Sequence, residues 1–233
     1  MKILFIGHDT FRITLAGGTT LLTDPWFKNS PIWRKVAPAL GPHQIGKIDY
    51  MLSSHNHLDH IDAPSLALAK EQGSVVIGSK RVARRALRSG ISNTVALAPG
   101  EEENFPAFLV QATPAFHPLA KDAIGFLIRA DGKQIYFSGD TRQGPALVKF
   151  IQQAGAIDIA FLQVECARYF GKDDGLDQDT AAELAISVQP RLVIPMHLHA
   201  TFKKPADLSR FQQSLAAHNI ESLIMKPGEQ TEV

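Results

Sequence analysis

The sequence predicts an α+β fold of the αββα type, in which two mixed β-sheets pack face to face with helices on both outer faces. Three observations favour it. Short strand patterns come first, strand and helix patterns then alternate, and the second half of the chain repeats this order. With 233 residues, 45% of them hydrophobic, the chain is long enough to bury a large core, and we expect a single domain over residues 1–233.

In the first half, the opening residues predict an antiparallel meander. Gly17-Gly18 is typical of a two-residue hairpin turn that needs positive φ. After an irregular, Pro- and Gly-containing loop over 27–47, helical and strand spacings alternate. The predicted strands cover 2–6, 11–16, 19–23 and 74–77, and the predicted helices cover 62–71 and 80–89.

The second half contains a second hairpin signal, Asp131-Gly132, between two strand patterns. Two later apolar runs, at 157–164 and 192–196, are typical of buried strands. Further strands are predicted at 108–112, 123–129 and 134–138, and helices at 145–154, 179–188 and 205–218.

The charge balance excludes a global field that would attract nucleic acid or anionic lipid, because 24 Lys and Arg face 23 Asp and Glu, for a net charge of +1. No apolar stretch approaches the ~20 residues that span a bilayer, and the apolar start is too short for a signal peptide. We therefore expect a cytoplasmic protein. The one cysteine, Cys166, excludes an intramolecular disulfide and a thiolate-rich zinc site, and is expected to be a small buried residue.

The most informative segment is an HxHxDH motif that directly follows the apolar run at 50–52. It places His55, His57, Asp59 and His60 within six residues. Imidazole nitrogen and carboxylate oxygen are donors that zinc, manganese and iron prefer. The motif therefore predicts a metal site rather than a solvated histidine-rich turn.

Further ligand candidates follow apolar strands at the point where each strand gives way to a loop. They are His117, Asp140 and His197. Taken alone, each is more typical of an ordinary surface, core or helix-capping residue. Because strand ends hold loop origins rigidly, we expect these side chains to converge with the motif at one edge of the sheets.

Five short motifs span nearly the whole chain: Gly7-His8, Thr23-Asp24-Pro25-Trp26, His55-Asn56-His57-Leu58-Asp59-His60, Ser138-Gly139-Asp140-Thr141 and Ile194-Pro195-Met196-His197. Together they resemble the metallo-β-lactamase superfamily. The first two resemble more closely its branch with L-ascorbate-6-phosphate lactonase and N-acyl-phosphatidylethanolamine phospholipase D. In the branch pattern, the final His is followed by Gly or Asn and then by Thr. Here Leu198-His199-Ala200 follows His197, and this departure concerns the substrate pocket.

The resemblance implies two divalent metal ions, with zinc as the first expectation and manganese, iron or nickel as alternatives. A hydroxide bridging the ions would attack a small, anionic lactone, ester or phosphodiester. The implied ligands are His55, His57 and His117 for one ion, Asp59, His60 and His197 for the other, and Asp140 as the bridge.

Three residues have predicted roles around the ions. Asp24 is the first candidate to orient a metal-bound imidazole, and capping a turn is its alternative. His8 and Asp59 are the predicted catalytic residues. His8 would donate a proton to the leaving group from the pocket rim, or else be a simple turn residue.

Two segments could contact substrate, although exposed charged surface is the commoner explanation for both. They are the loop with Trp26, Trp33, Arg34, Lys35 and His43, and the run Arg168-Tyr169-Phe170. His199 is assigned to solvent or substrate. The basic helix with Arg81, Arg84, Arg85 and Arg88 is interpreted as a solvated face, with an anionic contact as its alternative.

Two other functions use the same type of site. A nuclease of this superfamily normally carries a substrate-clamping domain and a basic stripe, which this chain's size and charge argue against. A di-iron redox or sensor protein would be recognised by iron and visible absorption. The expected partner is a small-molecule substrate rather than nucleic acid, and the sequence leaves the oligomeric state open.

Overall fold

The structure, a computed structural model, describes residues 1–29, 34, 36–169, 172–198 and 207–233. Within these residues the chain divides into two compact units. The first consists of Met1–Ala98 and Met225–Val233, and the second of Pro99–Leu198 and the described residues up to Ile224. That residues 1–233 act as a single domain stays a prediction.

The described residues form sixteen strands and five helices. In chain order they are β1 (Lys2–Gly7), β2 (Thr10–Thr14), β3 (Thr20–Thr23), β4 (Tyr50–Ser53), α1 (Ala63–Gln72), β5 (Val75–Gly78), α2 (Lys80–Arg88), β6 (Thr94–Ala96), β7 (Glu102–Phe105), β8 (Phe108–Pro114), β9 (Ile124–Ala130), β10 (Lys133–Phe137), α3 (Pro145–Gln153), β11 (Ile159–Gln163), β12 (Arg168–Tyr169), β13 (Lys172–Asp173), α4 (Gln178–Val188), β14 (Leu192–Met196), α5 (Ser209–Ala216), β15 (Glu221–Ser222) and β16 (Gln230–Glu232).

The first unit contains a seven-stranded mixed sheet with the order β16-β1-β2-β3-β4-β5-β6. Strands β16, β1, β2 and β3 pair antiparallel. From β3 onward the neighbours β4, β5 and β6 run parallel. Buried apolar side chains from the sheet, α1 and α2, among them Met51, Leu66 and Val82, form the core of this unit. The carboxyl end of β4 therefore lies in the parallel half of a well-buried sheet.

The second unit repeats this arrangement in a seven-stranded sheet with the order β15-β14-β11-β10-β9-β8-β7. Strands β7 to β10 pair antiparallel. Strands β10, β11, β14 and β15 run parallel. Its core packs Tyr136, Leu184 and Phe211 with other apolar residues of the sheet, α3, α4 and α5. Because β10 and β14 are parallel, the residues that follow them lie at the same edge of this sheet.

These elements confirm the predicted α+β class with two mixed sheets. The strand at Leu192–Met196 has the predicted bounds, and most other predicted elements differ by a few residues. The predicted helix at 205–218 is observed as Ser209–Ala216, and residues 205 and 206 lie outside the described part of the chain.

One predicted hairpin turn is wrong in detail, and the other is confirmed. Leu15 and Thr19 are the last hydrogen-bonded pair of the first hairpin, and Gly18 N–H donates to the Leu15 carbonyl. Three residues therefore form the loop, and of the two glycines Gly18 has positive φ, at 87°. Asp131 and Gly132 have φ of 53° and 71°, as a two-residue turn of this kind requires.

The helix that follows the HxHxDH motif begins at a capping box. The Asp62 carboxylate accepts from the Ser65 amide while the Ser65 hydroxyl lies within hydrogen-bond distance of the Asp62 amide. The other Asp62 oxygen accepts from the amides of Phe27 and Lys28, at 2.9 and 2.6 Å. One carboxylate thus fixes the start of both α1 and the 27–47 loop.

Among the described residues, no helix has the length and apolar character that crossing a membrane requires.

Gly78, at the end of β5, has no room for a side chain. A Cβ there would contact the Ser53 carbonyl and lie 2.7 Å from Val82 Cγ1. We expect Gly78→Ala to lower the free energy of unfolding by about 1–3 kcal/mol through overpacking, measured by urea denaturation. Gly17→Ala is the matched control, because a Cβ there meets nothing within 4 Å. Equal stabilities of the two variants would contradict this explanation.

Candidate metal centre

The HxHxDH motif forms a compact turn between β4 and α1. The Ser53 hydroxyl, at the end of β4, donates to the carbonyls of His55 and His60, at 3.1 Å each. The amides of His60 and Ile61 donate to the His57 carbonyl. These backbone contacts close the turn, so its side chains project from a fixed frame.

Two imidazoles of the turn direct their nitrogens at each other. His55 Nε2 lies 2.9 Å from His57 Nδ1, and the two ring centroids are 4.4 Å apart. On the other side of the His55 ring, Nδ1 lies 3.0 Å from the Ser54 hydroxyl. The first unit therefore brings together the two histidines predicted to share one ion.

Asp24 holds the third imidazole of the turn. Its Oδ2 lies 2.7 Å from His60 Nδ1 and accepts from the Ser54 hydroxyl, and its Oδ1 accepts from the Ser54 amide. Burial raises the pKa of Asp24, and the contacts with His60 and Ser54 act to lower it. A carboxylate in this position keeps the proton on Nδ1 and the lone pair on Nε2, the tautomer that a metal-binding histidine needs.

His8 lies beside the same turn. One ligand atom from each of His8, Asp59 and His60 lies within 4.8 Å of the others, and His8 Nε2 is 3.7 Å from Asp59 Oδ2. His8 is buried against the Trp26 ring rather than exposed at a rim, whereas the Asp59 side chain is 36% exposed. The role of His8 as a proton donor stays a prediction.

Sequence reasoning missed Asp9. This fully buried carboxylate follows His8 in the β1–β2 turn, and its Oδ2 lies 3.6 Å from His8 Nε2 and 3.5 Å from His60 Nδ1. The sequence signal that could have identified Asp9 was its position next to His8, which was already a candidate catalytic residue.

Two residues predicted to lie in an exposed substrate loop are instead buried. Arg34 stacks over the Trp26 ring at 4.5 Å and donates to the carbonyls of Trp26 and Val36. Burial lowers the pKa of Arg34 to about 10, although Asp62 and Asp9 act to raise it. Both side chains are buried, so the alternative of an exposed charged surface is wrong for this pair, since cation–π stacking and backbone acceptors allow the burial. A contact of this pair with substrate stays a prediction.

The remaining side chains that were predicted to contact substrate are either exposed or outside the described part of the chain. His43 is exposed. Trp33, Lys35, Phe170 and His199, and the side chains of Arg168 and Tyr169, lie outside the described part of the chain.

In the second unit, Asp140 and His197 lie together. Asp140 follows β10 and His197 follows β14, and Asp140 Oδ2 is 3.4 Å from His197 Nε2. His197 has a positive φ of 63°, an uncommon conformation for a residue other than glycine. The parallel pairing of this sheet thus brings together two predicted ligands from distant parts of the sequence.

His117 is held in the same unit by the Asp174 carbonyl, which lies 2.7 Å from its Nδ1. Its loop is tied to the turn after β10, because the Phe116 amide donates to the Thr141 hydroxyl and the Arg142 amide donates to the Phe116 carbonyl. A histidine fixed through Nδ1 presents Nε2 as a ligand atom.

Two further residues of this unit were missed. Asp174 is buried, its pKa is raised by burial and by Asp140, and it accepts from the Ala167 amide. The buried Gln163 side chain accepts from the amides of Thr141 and Leu176. Neither residue belongs to a recognisable sequence motif.

Cys166 is half-buried, so the expectation of a buried residue is wrong. Burial, followed by Asp173 and Asp174, raises the pKa of its thiol to about 11. Because the thiol is neutral near pH 7, it is a poor nucleophile and a poor metal ligand.

The donor set in each unit fits a divalent metal. Imidazole nitrogens and carboxylate oxygens provide the donors, and Asp24 and the Asp174 carbonyl fix two of the rings. In the first unit, Asp9 and Asp24 are fully buried carboxylates next to histidines.

Comparisons with known proteins agree with this chemistry. The model of a family described as Beta-lactamase superfamily domain matches residues 19–198. A UPF0173 protein of Pyrococcus furiosus is 30% identical over 100% of both chains. A UPF0173 metal-dependent hydrolase of Symbiobacterium thermophilum is 31% identical over 98% of each chain.

Among solved structures, Igni18, described as a novel metallo hydrolase from Ignicoccus hospitalis, matches with a TM-score of 0.81 and 23% identity, covering 99% of this chain and 97% of that one. This likeness supports the fold alone, which is the metallo-β-lactamase fold that the resemblance implied. On the family match and the full-length relatives, the chain belongs to the UPF0173 family of the β-lactamase superfamily.

Proposed function

We propose that this protein is a metal-dependent hydrolase that acts on a small, anionic lactone, ester or phosphodiester. The coarser part, metal-dependent hydrolysis, is supported by the names of its full-length relatives. The observation that carries the proposal is the turn between β4 and α1, where Asp24 orients His60 beside Asp59 and His8. The finer substrate class rests on the resemblance to the lactonase and phospholipase D branch.

In this proposal, the seven ligands predicted from the sequence hold two metal ions. The close pairs within each unit, His55 with His57 and Asp140 with His197, support the choice of these residues. Zinc is the first expectation, because histidine and carboxylate donors suit it, and manganese, iron and nickel are alternatives that the same donors accept. The proposed ligands are His55, His57, Asp59, His60, His117, Asp140 and His197.

When bound, such ions polarise a substrate oxygen and make a water molecule acidic enough to attack near neutral pH. The chain's own residues provide orientation and proton transfer. Asp24 keeps the His60 proton on Nδ1. His8 Nε2 lies 3.7 Å from Asp59 Oδ2. In this proposal His8 exchanges a proton with that partly exposed carboxylate and donates one to a leaving oxygen.

The first prediction concerns His57. We expect His57→Ala to lower the bound metal per chain and to reduce hydrolysis by about 100-fold or more, since one ligand of the pair with His55 is lost. Metal content is measured by mass spectrometry of the purified protein. Activity is measured on lactones, thioesters and bis(p-nitrophenyl) phosphate.

The matched control for this variant is His218→Ala, which removes an exposed histidine near the end of α5. It should keep both metal content and turnover. Full turnover in His57→Ala would contradict the assignment of a metal-dependent hydrolase. Purified protein that contains iron and absorbs visible light would favour redox chemistry instead.

The second prediction concerns Asp24. In Asp24→Asn the amide nitrogen can donate to His60 Nδ1, which would move the imidazole proton to Nε2 and remove the ligand lone pair there. We expect metal affinity to fall by about 10- to 100-fold, measured by competition with a chelator.

Asp131→Asn, in the β9–β10 hairpin turn, is the control for this exchange, because asparagine also adopts the positive φ found there. Unchanged metal affinity in Asp24→Asn would show that Asp24 only shapes its turn.

A further inference from the structure

Helix α2 carries four arginines in a row along one face, named here the arginine stripe: Arg81, Arg84, Arg85 and Arg88. Their spacing of three, four and seven residues places them side by side. The residues between them, Val82, Ala83 and Ala86, are buried in the first unit. The nine-residue helix contains no acidic residue, so the repulsion among these like charges is not relieved within the helix itself.

The arginine stripe lines a cavity rather than an even surface. The cavity has a volume of about 410 Å³, and its fifth lining residue is Asn56. None of these five residues is acidic. The volume falls within the range of small-molecule sites, which is about 300–1,000 Å³. Four positively charged side chains, of which Arg85 is half-buried and the other three are exposed, therefore line a space of ligand size.

Arg85 connects this cavity to the HxHxDH turn. It is half-buried, and its Nη1 lies 3.3 Å from both the carbonyl and the side-chain oxygen of Asn56. Burial lowers the pKa of Arg85, while the more distant charge of Asp62 acts to raise it. The contacts with Asn56 are long and involve neutral acceptors, whereas an anionic oxygen would form the stronger, charge-assisted contact.

We infer that the arginine stripe and Asn56 form a binding site for the phosphate group of a small molecule. Guanidinium groups match phosphate oxygens in paired, planar contacts, which makes arginine well suited to this ligand. Because the net charge of the whole chain is +1, the attraction is local to this cavity.

The dimensions and surroundings favour a small molecule over a larger anion. The stripe spans seven residue steps, or about 10 Å along the helix axis, which is short for a nucleic-acid track. The apolar side of α2 packs into the core, so the helix cannot insert that face into a membrane.

The site is separate from the proposed metal ligands but adjacent to them. Asn56 lies between His55 and His57 in the sequence, and none of the five lining residues is a proposed ligand. A phosphate bound here would therefore lie beside the turn that carries four of the proposed metal ligands, and its binding would not require the metal.

The test is calorimetric titration of the full-length, metal-loaded protein with pyrophosphate at low ionic strength. We expect saturable binding that weakens by about tenfold or more in Arg84→Gln/Arg88→Gln, because two charge-assisted contacts are lost. Lys149→Gln/Arg210→Gln is the matched control. It removes two positive charges from exposed positions of α3 and α5 and should change affinity by less than about twofold.

The same titrations in the His57→Ala background separate this site from the metal centre. Pyrophosphate binding that depends on metal falls there in proportion to the metal content, whereas binding that depends on the arginine stripe persists. The inference is therefore tested even if the proposed hydrolase function fails.

Circular dichroism and thermal melting check that the double variant is folded. If it is not, the single variant Arg88→Gln takes its place, with Lys149→Gln as its control. Three results would overturn the inference: no saturable binding by the unsubstituted protein, equal affinity in the stripe and control variants, or tighter binding of single-stranded RNA or phosphatidylserine vesicles than of pyrophosphate.

Discussion

The buried carboxylate of Asp24 is the contact on which the rest of the first unit's candidate centre depends. It follows β3 in the sheet and accepts from the amide and hydroxyl of Ser54, in the turn after the neighbouring strand β4. It also holds His60 Nδ1, and the same Ser54 hydroxyl lies next to His55 Nδ1. Burial raises the pKa of Asp24, and the contacts with His60 and Ser54 act against that rise. The positions of His55 and His60 thus depend on one interaction between adjacent parallel strands.

Much of the fold could be predicted because its long strands are apolar runs with polar ends. Strand β14 lies between Arg191 and His197, and its bounds follow directly from that contrast. Two of the strands that were missed, Gln230–Glu232 and Glu221–Ser222, contain three and two residues, most of them polar. They become strands because an edge of β1 or β14 is available for pairing, and local sequence carries no signal of such an edge.

The candidate site could be predicted where ligand types are dense in sequence, as at positions 55 to 60, and where a polar residue ends an apolar strand, as at Asp140 and His197. Asp9, Asp174 and Gln163 were missed because each acts as a single polar group through contacts that only folding creates. Trp26 and Arg34 were expected in an exposed loop, but the cation–π contact between them allows both side chains to be buried. That the ligands of the two units share ions stays a prediction.

The double use of the Asp62 carboxylate links two segments that are far apart in sequence. One oxygen caps α1, and the other accepts from Phe27 and Lys28. If the first residues of the 27–47 loop separated from the protein, the Asp62 oxygen that accepts from Phe27 and Lys28 would be exposed to water. The first turn of α1, which the other oxygen caps, would be weakened. The start of the 27–47 loop and the first turn of α1 are therefore coupled through one side chain.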